Sequence, residues 1–247
     1  MDFKLEICVD GIQSALNAQN TGATRVELCD NLSEGGTTPG FGTIDSVRNS
    51  IDIGVHVLIR PRTGDFLYTD AEFDIMRKDI ESCKRSGADG VVIGILRADG
   101  SIDLERTAEL VRLARPMSVT FHRAFDMCIN PLEALEDIIA TGADRLLTSG
   151  QKNSAEEGAS LLRDLVQQAG KRLIVMPGSG INESNITSIA ATGATEFHLS
   201  ARKKIESRMI FRKEDVRMGN SPGFNEFELK VADPEKIRNI IRILKNM

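Results

Sequence analysis

The sequence predicts an α/β protein with a (β/α)8 TIM-type barrel, and three observations lead to that fold class. Eight short apolar runs of strand length alternate with segments of helical periodicity along the chain. Four of these runs follow a Gly-Ala dipeptide, at Gly22, Gly87, Gly142 and Gly193, where glycine ends the preceding helix at no steric cost. The length of 247 residues is close to the usual size of one such barrel.

The strands and helices follow one another regularly. Strands are expected at residues 4–9, 24–29, 55–60, 89–95, 117–122, 144–149, 172–177 and 195–200. Among the helical segments between them, ASLLRDLVQQAG is the clearest, because its leucines repeat at helical spacing. The pairs Asn130-Pro131 and Asp233-Pro234 predict the starts of the fifth and the last helix, since proline suits the first helical position.

The segment 201–233 exceeds what a minimal barrel needs between its eighth strand and its last helix. It is rich in charge and glycine, and loops longer than about 12–15 residues are more often functional than mere connectors. We therefore expect this insertion to be a functional loop or a lid. No Pro/Gly/Ser-rich linker interrupts the chain, so residues 1–247 are predicted to form a single domain.

The composition excludes several classes of protein. The net charge is −5 without a Lys/Arg block, which argues against binding of nucleic acid. No apolar run reaches membrane-spanning length, and the first residues do not resemble a signal peptide. We therefore expect a cytoplasmic protein with no membrane partner and four reduced cysteines. A homo-oligomer is compatible with all of these features.

Strand alternation predicts an unusually polar barrel interior. Residues such as Leu5, Ile7 and Val9 share one strand face, which must meet the helices, so the polar residues between them face inward. The inferred interior set is Glu6, Cys8, Arg25, Glu27, Cys29, Arg60, Arg62, His122, Glu196 and His198. Barrel interiors are usually dominated by branched apolar residues.

Two interpretations of these ionisable residues stand side by side. One is a buried ion-pair network that fixes the strand register, which is considered for the deeper Arg25 and Glu196. The other is a ligand site, which is favoured for Arg60, Arg62 and His122 because they lie nearer the C-terminal rim, where barrel enzymes place their active sites.

Longer runs in the chain resemble the copper homeostasis protein CutC family. The similar stretches are LEICVD, RVELCDNLSEGGTTPG, VLIRPRTGDFLY, VTFHRAFD, RLLTSG, MPGSGI and EFHLSAR, which together extend from Leu5 to about Lys230. The resemblance implies a TIM-type barrel and a cytoplasmic protein linked to copper tolerance and copper binding. The family label is a phenotype and does not identify a reaction.

The cysteines suggest a copper site. Cys8 and Cys29 end two adjacent predicted strands in matching Glu-x-Cys patterns, and soft thiolates select Cu(I). With the resemblance, they are predicted to hold Cu(I), with His122 or His198 as neighbours; alternatively, they are small buried hydrophobic residues. Cys83 and Cys128 are expected to take no part. A zinc site is not expected, because the chain has no Cys-x-x-Cys and no His-x-x-x-His.

The alternative function is an enzyme of isomerase or lyase type. Its substrate would be a small anionic metabolite, either phosphorylated or carboxylated. Arginines would make the mouth positive, and the Gly-rich turn after strand seven would open a helix whose backbone N–H groups bind an anion. The expected binding residues are Glu6, Arg60, Arg62, Arg123, Gly178, Ser179, Gly180 and His198. In such an enzyme Glu27, His122 and Asp126 would act as acid and base.

Overall fold

A computed structural model describes residues 3–213, 215–216, 218 and 225–247 of the chain. Eight parallel strands form one sheet, in the order β7-β6-β5-β4-β3-β2-β1-β8. Their bounds are β1 Lys4–Val9, β2 Arg25–Leu28, β3 Gly54–Leu58, β4 Gly90–Ile93, β5 Ser118–Phe121, β6 Arg145–Thr148, β7 Ile174–Pro177 and β8 Glu196–Leu199. Strands β7 and β8, at the two ends of this order, contact each other. The sheet is therefore a nearly closed barrel, and the predicted fold class is confirmed.

Helices follow the strands and surround the barrel. They are α1 Ile12–Thr21, α2 Phe41–Arg48, α3 Asp70–Arg85, α4 Leu104–Ala114, α5 Pro131–Thr141, α6 Ala159–Ala169, α7 Ile186–Ala190 and α8 Pro234–Lys245. The proline starts of α5 and α8 are as predicted, and Gly22 and Gly142 end α1 and α5 in the left-handed conformation. Within the described part of the chain, the helices are all too short or too polar to cross a bilayer.

The two faces of the strands carry different residues, as the alternation predicts. Leu5, Ile7 and Val9 of β1 are completely buried in the large core between strands and helices. Inside the barrel, Cys8 and Cys29 pack with Leu58 and Val92 in a separate small cluster. The polar residues that alternate with the core residues therefore have only the barrel interior to occupy.

The insertion after β8 contains a second, two-stranded sheet. Strands β9 (Arg202–Glu206) and β10 (Glu228–Ala232) pair antiparallel. The end of β10 is fixed to α1 because Asn17 Nδ2 donates to the Ala232 carbonyl at 2.9 Å. Residues 214, 217 and 219–224 of the predicted 201–233 insertion lie outside the described residues. Its role as a lid stays a prediction.

Candidate functional site

A chain of ion pairs occupies the lower half of the barrel. Arg25 donates through Nε to Glu6 Oε2 and through Nη2 to Glu196 Oε2, the latter at 2.8 Å. Arg145 Nε also donates to Glu196 Oε2, at 2.7 Å. Two guanidinium groups thus face two carboxylates, and all four side chains are buried. The network interpretation is correct for Arg25 and Glu196, since pairing offsets the cost of burying each ion.

Glu6 connects this network to the mouth of the barrel. Its Oε1 lies 2.8 Å from Nδ1 of His198, and the β1–β8 ladder places these two residues opposite each other. Burial raises the pKa of Glu6, but the charges of Arg25 and His198 outweigh it and hold that pKa well below its ordinary value. Glu6 is therefore an anion that orients His198, and Nε2 of His198 is left to face the upper cavity.

Above Glu6, residues from three adjacent strands converge. One ligand atom from each of Cys8, Glu27 and His198 lies within 4.8 Å of the others, and all three side chains are buried. Nε2 of His198 is 3.7 Å from Oε2 of Glu27. The ladder that pairs Cys8 with Glu27 explains this meeting, which no local motif in the sequence marks. A set of metal-ligating side chains thus exists although the sequence has no short-range ligand motif.

Cys29 joins the same group from the end of β2. Its Sγ lies 3.8 Å from Sγ of Cys8 and 3.4 Å from Glu27 Oε2. Both cysteines are free thiols and are buried. The two residues predicted to hold metal therefore do lie together, with His198 and not His122 beside them in the cluster.

All four members of this cluster, which are the two thiols, Glu27 and His198, have shifted pKa values. The hydrogen bond from Cys29 and the proximity of His198 lower the pKa of Cys8 to about 5. Burial opposes the charged form of His198, but Glu27, Cys8 and Glu6 hold its pKa well above the ordinary value. Burial raises the pKa of Glu27 to about 8 and that of Cys29 well above its usual range. These shifts favour a thiolate on Cys8 next to a protonated His198.

These thiols open into a cavity of about 420 Å³ at the C-terminal ends of the strands. Arg60, His122 and Phe66 also line this cavity. The Arg60 guanidinium lies 5.2 Å from the centre of the Phe66 ring, and the His122 ring lies 5.1 Å from it. A cavity of this size suits a small-molecule ligand.

Arg62 is not part of this cavity, and its predicted inward orientation is wrong. Its side chain donates to Glu72 of α3 at 2.6 Å and to Asp65 at 2.9 Å, and its guanidinium lies over Tyr68. Strand β3 ends at Leu58, so the two-residue alternation does not extend to position 62. Arg62 instead fixes the loop that leads into α3.

Asp126 and Arg123 reach the cavity wall but are occupied by structural contacts. Asp126 accepts from Thr148 Oγ1 at 2.5 Å, from the backbone N–H groups of Ser149 and Gln151 at 3.1 Å each, and from Arg123 Nε at 2.7 Å. A carboxylate with this many donors orders a loop, and it has little capacity left as a base. Nothing in this geometry supports the acid–base role predicted for Asp126.

The turn 178–180 also differs from the prediction. Ser179 and Gly180 line the cavity, with φ values of 78° and 72°. The next helix, α7, starts only at Ile186 and has five residues, so the turn does not open a helix that would bind an anion. Gly178 instead allows close packing, because a Cβ there would lie 2.5 Å from Leu147.

The other two cysteines lie away from the cavity. Cys83 lies in α3 and packs in the outer core. Cys128 follows a 3-10 turn and contacts Gln151 Nε2 at 3.3 Å. Burial raises the pKa of Cys83 to about 12 and that of Cys128 to about 11. Both are therefore protonated thiols at neutral pH, as expected for residues outside the site.

Sequence reasoning missed two buried residues of the interior, Arg145 and His56. Arg145 neutralises Glu196, and His56 Nδ1 lies 3.9 Å from Glu6 Oε2. Applying strand alternation to β6, where Arg145 and Leu147 share a face, would have found Arg145. By the same alternation, His56 lies on the inward face of β3 and could have been predicted as an interior residue.

Known proteins are similar to this chain over most of its length. The family model described as the CutC family matches residues 3–203. The copper homeostasis protein cutC homolog of Homo sapiens is 50% identical over 246 residues, covering 99% of this chain and 90% of that protein. A family protein CutC of Chromobacterium violaceum is 52% identical over 239 residues, covering 96% of each.

Solved structures include a CutC protein and other barrels that are similar to this chain. The CutC protein of Streptococcus agalactiae superposes with a TM-score of 0.77 at 32% identity, covering 80% of this chain and 98% of that one. An aldolase with 16% identity and a TM-score of 0.62, covering 81% of this chain and 90% of that one, shares the barrel fold alone.

Proposed function

This chain belongs to the CutC family, and from that premise we propose that it serves copper homeostasis by binding Cu(I) through Cys8 and Cys29 at the barrel mouth. The observation that carries the proposal is the 3.8 Å separation of the two sulfur atoms beside His198 and Glu27. Two metal–thiolate bonds of about 2.3 Å each, the length found for zinc, together span more than this distance. One ion can therefore contact both sulfurs without a backbone shift.

The chemistry of the donors favours Cu(I) over harder ions. Two sulfurs, and the imidazole of His198 once metal binding displaces its proton, are soft or borderline ligands, which suit Cu(I) better than Mg²⁺ or Ca²⁺. The low pKa of Cys8, about 5, supplies one thiolate at neutral pH. His198 donates through Nδ1 to Glu6, the arrangement by which metal sites orient a histidine and leave its other nitrogen free.

The setting that we propose for this activity is the cytoplasm. All four cysteines are free, including two whose sulfurs lie close together. A reducing compartment keeps such thiols available for a metal.

Chelator competition tests the proposal. The parent protein is expected to withdraw one Cu(I) per chain from a colorimetric Cu(I) chelator under anaerobic conditions. The double variant Cys8→Ser/Cys29→Ser should lose this binding, because hydroxyls are poor Cu(I) ligands. The matched control Cys83→Ser/Cys128→Ser removes the same number of thiols outside the cavity and should bind as the parent does. Equal affinity of the two double variants would contradict the proposal.

For the alternative function, an isomerase or lyase, the geometry leaves fewer candidate acid–base residues than the sequence suggested. Asp126 is occupied by loop contacts, and His122 accepts through Nδ1 from the Ala124 N–H at 3.1 Å. Glu27, whose pKa is raised to about 8 by burial, keeps a protonation state suited to general acid or base work. An enzyme proposal therefore depends on Glu27 and on a ligand bound by other residues of the same cavity.

A further inference from the structure

We propose that the cavity lined by the thiols also holds a binding site for a small carboxylate, bound by Nε of Arg60 and Nε2 of His122. Both nitrogens are buried and have no hydrogen-bond partner among the described residues. Both side chains line the one cavity that the thiols also line. Buried donors without partners are rare and costly in native proteins, so two in one cavity point to a missing acceptor.

The charge of Arg60 points to an anion. Its Nη1 donates to the carbonyl oxygens of Glu34 and Gly36, the former at 3.1 Å and the latter at 2.6 Å, and its Nη2 donates to that of Gly64 at 2.8 Å. These neutral partners fix the guanidinium but do not compensate its charge. No carboxylate in the described part of the chain forms a salt bridge with it, and only 6% of the residue is exposed.

The other two buried arginines differ from Arg60 because each of them is paired with a carboxylate. Arg25 faces Glu6 and Glu196, and Arg145 faces Glu196. An uncompensated buried charge is costly, and both of these deeper arginines are paired. Of these three arginines, only Arg60 lines the cavity, and it has no carboxylate partner in the described part of the chain.

The tautomer of His122 makes its Nε2 a donor. Nδ1 accepts a hydrogen bond from the Ala124 N–H at 3.1 Å, so the single proton of the neutral ring is on Nε2. Burial and the nearby Arg60 charge lower the pKa of His122 to about 3, which keeps the ring neutral at physiological pH. The site therefore offers one positive charge and one neutral N–H.

This donor set fits a carboxylate in charge and in number of oxygens. A carboxylate carries one negative charge and two oxygens, one for each free nitrogen, and hydrogen bonds to charged groups are the stronger kind. The cavity lining also includes the apolar residues Leu32, Leu58, Phe66 and Leu147. An organic tail would pack there, which favours an organic acid over inorganic phosphate.

Calorimetric titration of the full chain tests the proposal with benzoate as the probe and benzamide as its uncharged counterpart. Benzoate is expected to bind with a Kd of about 1 mM or below, and benzamide to bind at least about tenfold more weakly because it lacks the charge that Arg60 requires. Equal binding of the two probes, or no binding of benzoate, would overturn the proposal. Inorganic phosphate that competes as well as benzoate would overturn the carboxylate assignment.

Two variants and two controls locate the site. Arg60→Met and His122→Asn should each weaken benzoate binding by about tenfold or more; Asn keeps an acceptor near Nδ1 and removes the Nε2 donor. Arg62→Met, an arginine outside the cavity, should bind benzoate like the parent. If Arg60→Met does not fold, His122→Asn and the parent titrations still decide. Cys8→Ser/Cys29→Ser should keep benzoate binding, so failure here is distinct from failure of the copper proposal.

Discussion

The sulfur atoms of Cys8 and Cys29 lie 3.8 Å apart although the ladder between their strands pairs Cys8 with Glu27. The backbone N–H of Cys29 donates to the Val9 carbonyl at 2.9 Å, which continues the β1–β2 pairing one residue beyond the end of β2. The inward side chains of Cys8 and Cys29 therefore meet on a diagonal. The carboxyl group of Glu27 belongs to the same group, with Oε2 3.4 Å from Sγ of Cys29.

The anionic Glu6 should be essential for the stability of the barrel interior. Glu6→Ala leaves Arg25 and His198 without their shared carboxylate, and breaking a buried ion pair from one side costs about 3–5 kcal/mol. Urea unfolding should show this loss of unfolding free energy. The control is Glu136→Ala, which removes an exposed pair with Arg172 and should change stability little. Equal effects of the two variants would refute the role of the network.

Two buried histidines should stay neutral in mildly acidic solution. Burial lowers the pKa of His56 to about 4 and that of His122 to about 3, both below the ordinary value of 6.5. Below pH 6.5 the unfolded chain takes up these protons and the folded chain does not, so each histidine reduces stability as the pH falls, by at most about 1.4 kcal/mol per pH unit.

Histidine ring NMR checks this prediction directly, because the chain has only three histidines. The Cε1–H resonances of His56 and His122 should not titrate between pH 7.5 and 5.5, a range chosen about one unit either side of the ordinary pKa. The urea-unfolded chain serves as the reference and should titrate near that ordinary value. Native-state titration of both rings near it would show that neither is buried as described.

Gly94 should be required for the position of His122. A Cβ at residue 94 would overlap Cε1 and Nδ1 of the imidazole ring, so Gly94→Ala must displace the ring and is expected to cost about 1–3 kcal/mol of stability. Gly42→Ala is the control, since a Cβ at Gly42 has nothing within 4 Å. That substitution lies in α2 and is expected to leave stability unchanged or to raise it. A Gly94→Ala protein as stable as the parent would count against this packing.

Strand alternation predicted the polar interior well where the residues lie inside strands. Glu6 and Cys8 in β1, Arg25 and Glu27 in β2, and His198 in β8 could all be placed because a strand has a fixed two-residue period. Arg62 could not, since the chain leaves β3 at Leu58 and the period ends there. The register of one strand relative to the next could not be predicted from the sequence either, because the stagger depends on how the whole barrel closes.

The roles of loop residues were also beyond reach of the sequence. Asp126 is a carboxylate of the type that catalyses acid–base reactions. Its contacts with Thr148, Ser149 and Gln151 come from the end of β6 and the loop after it, and no local sequence pattern predicts their approach. The free nitrogens of Arg60 and His122 were likewise visible only once their occupied partners were known. Side-chain type indicates chemical capacity, and the folded contacts decide how much of it is free.

X-ray absorption at the copper K edge of the Cu(I)-loaded protein tests the central claim most directly. If Cys8 and Cys29 both bind the ion, the extended fine structure should contain two sulfur scatterers per copper in the parent protein. Cys8→Ser should reduce this number to one, while Cys83→Ser should leave it at two. A first shell of nitrogen and oxygen alone in the parent protein, or a sulfur count that does not change in Cys8→Ser, would contradict the copper site.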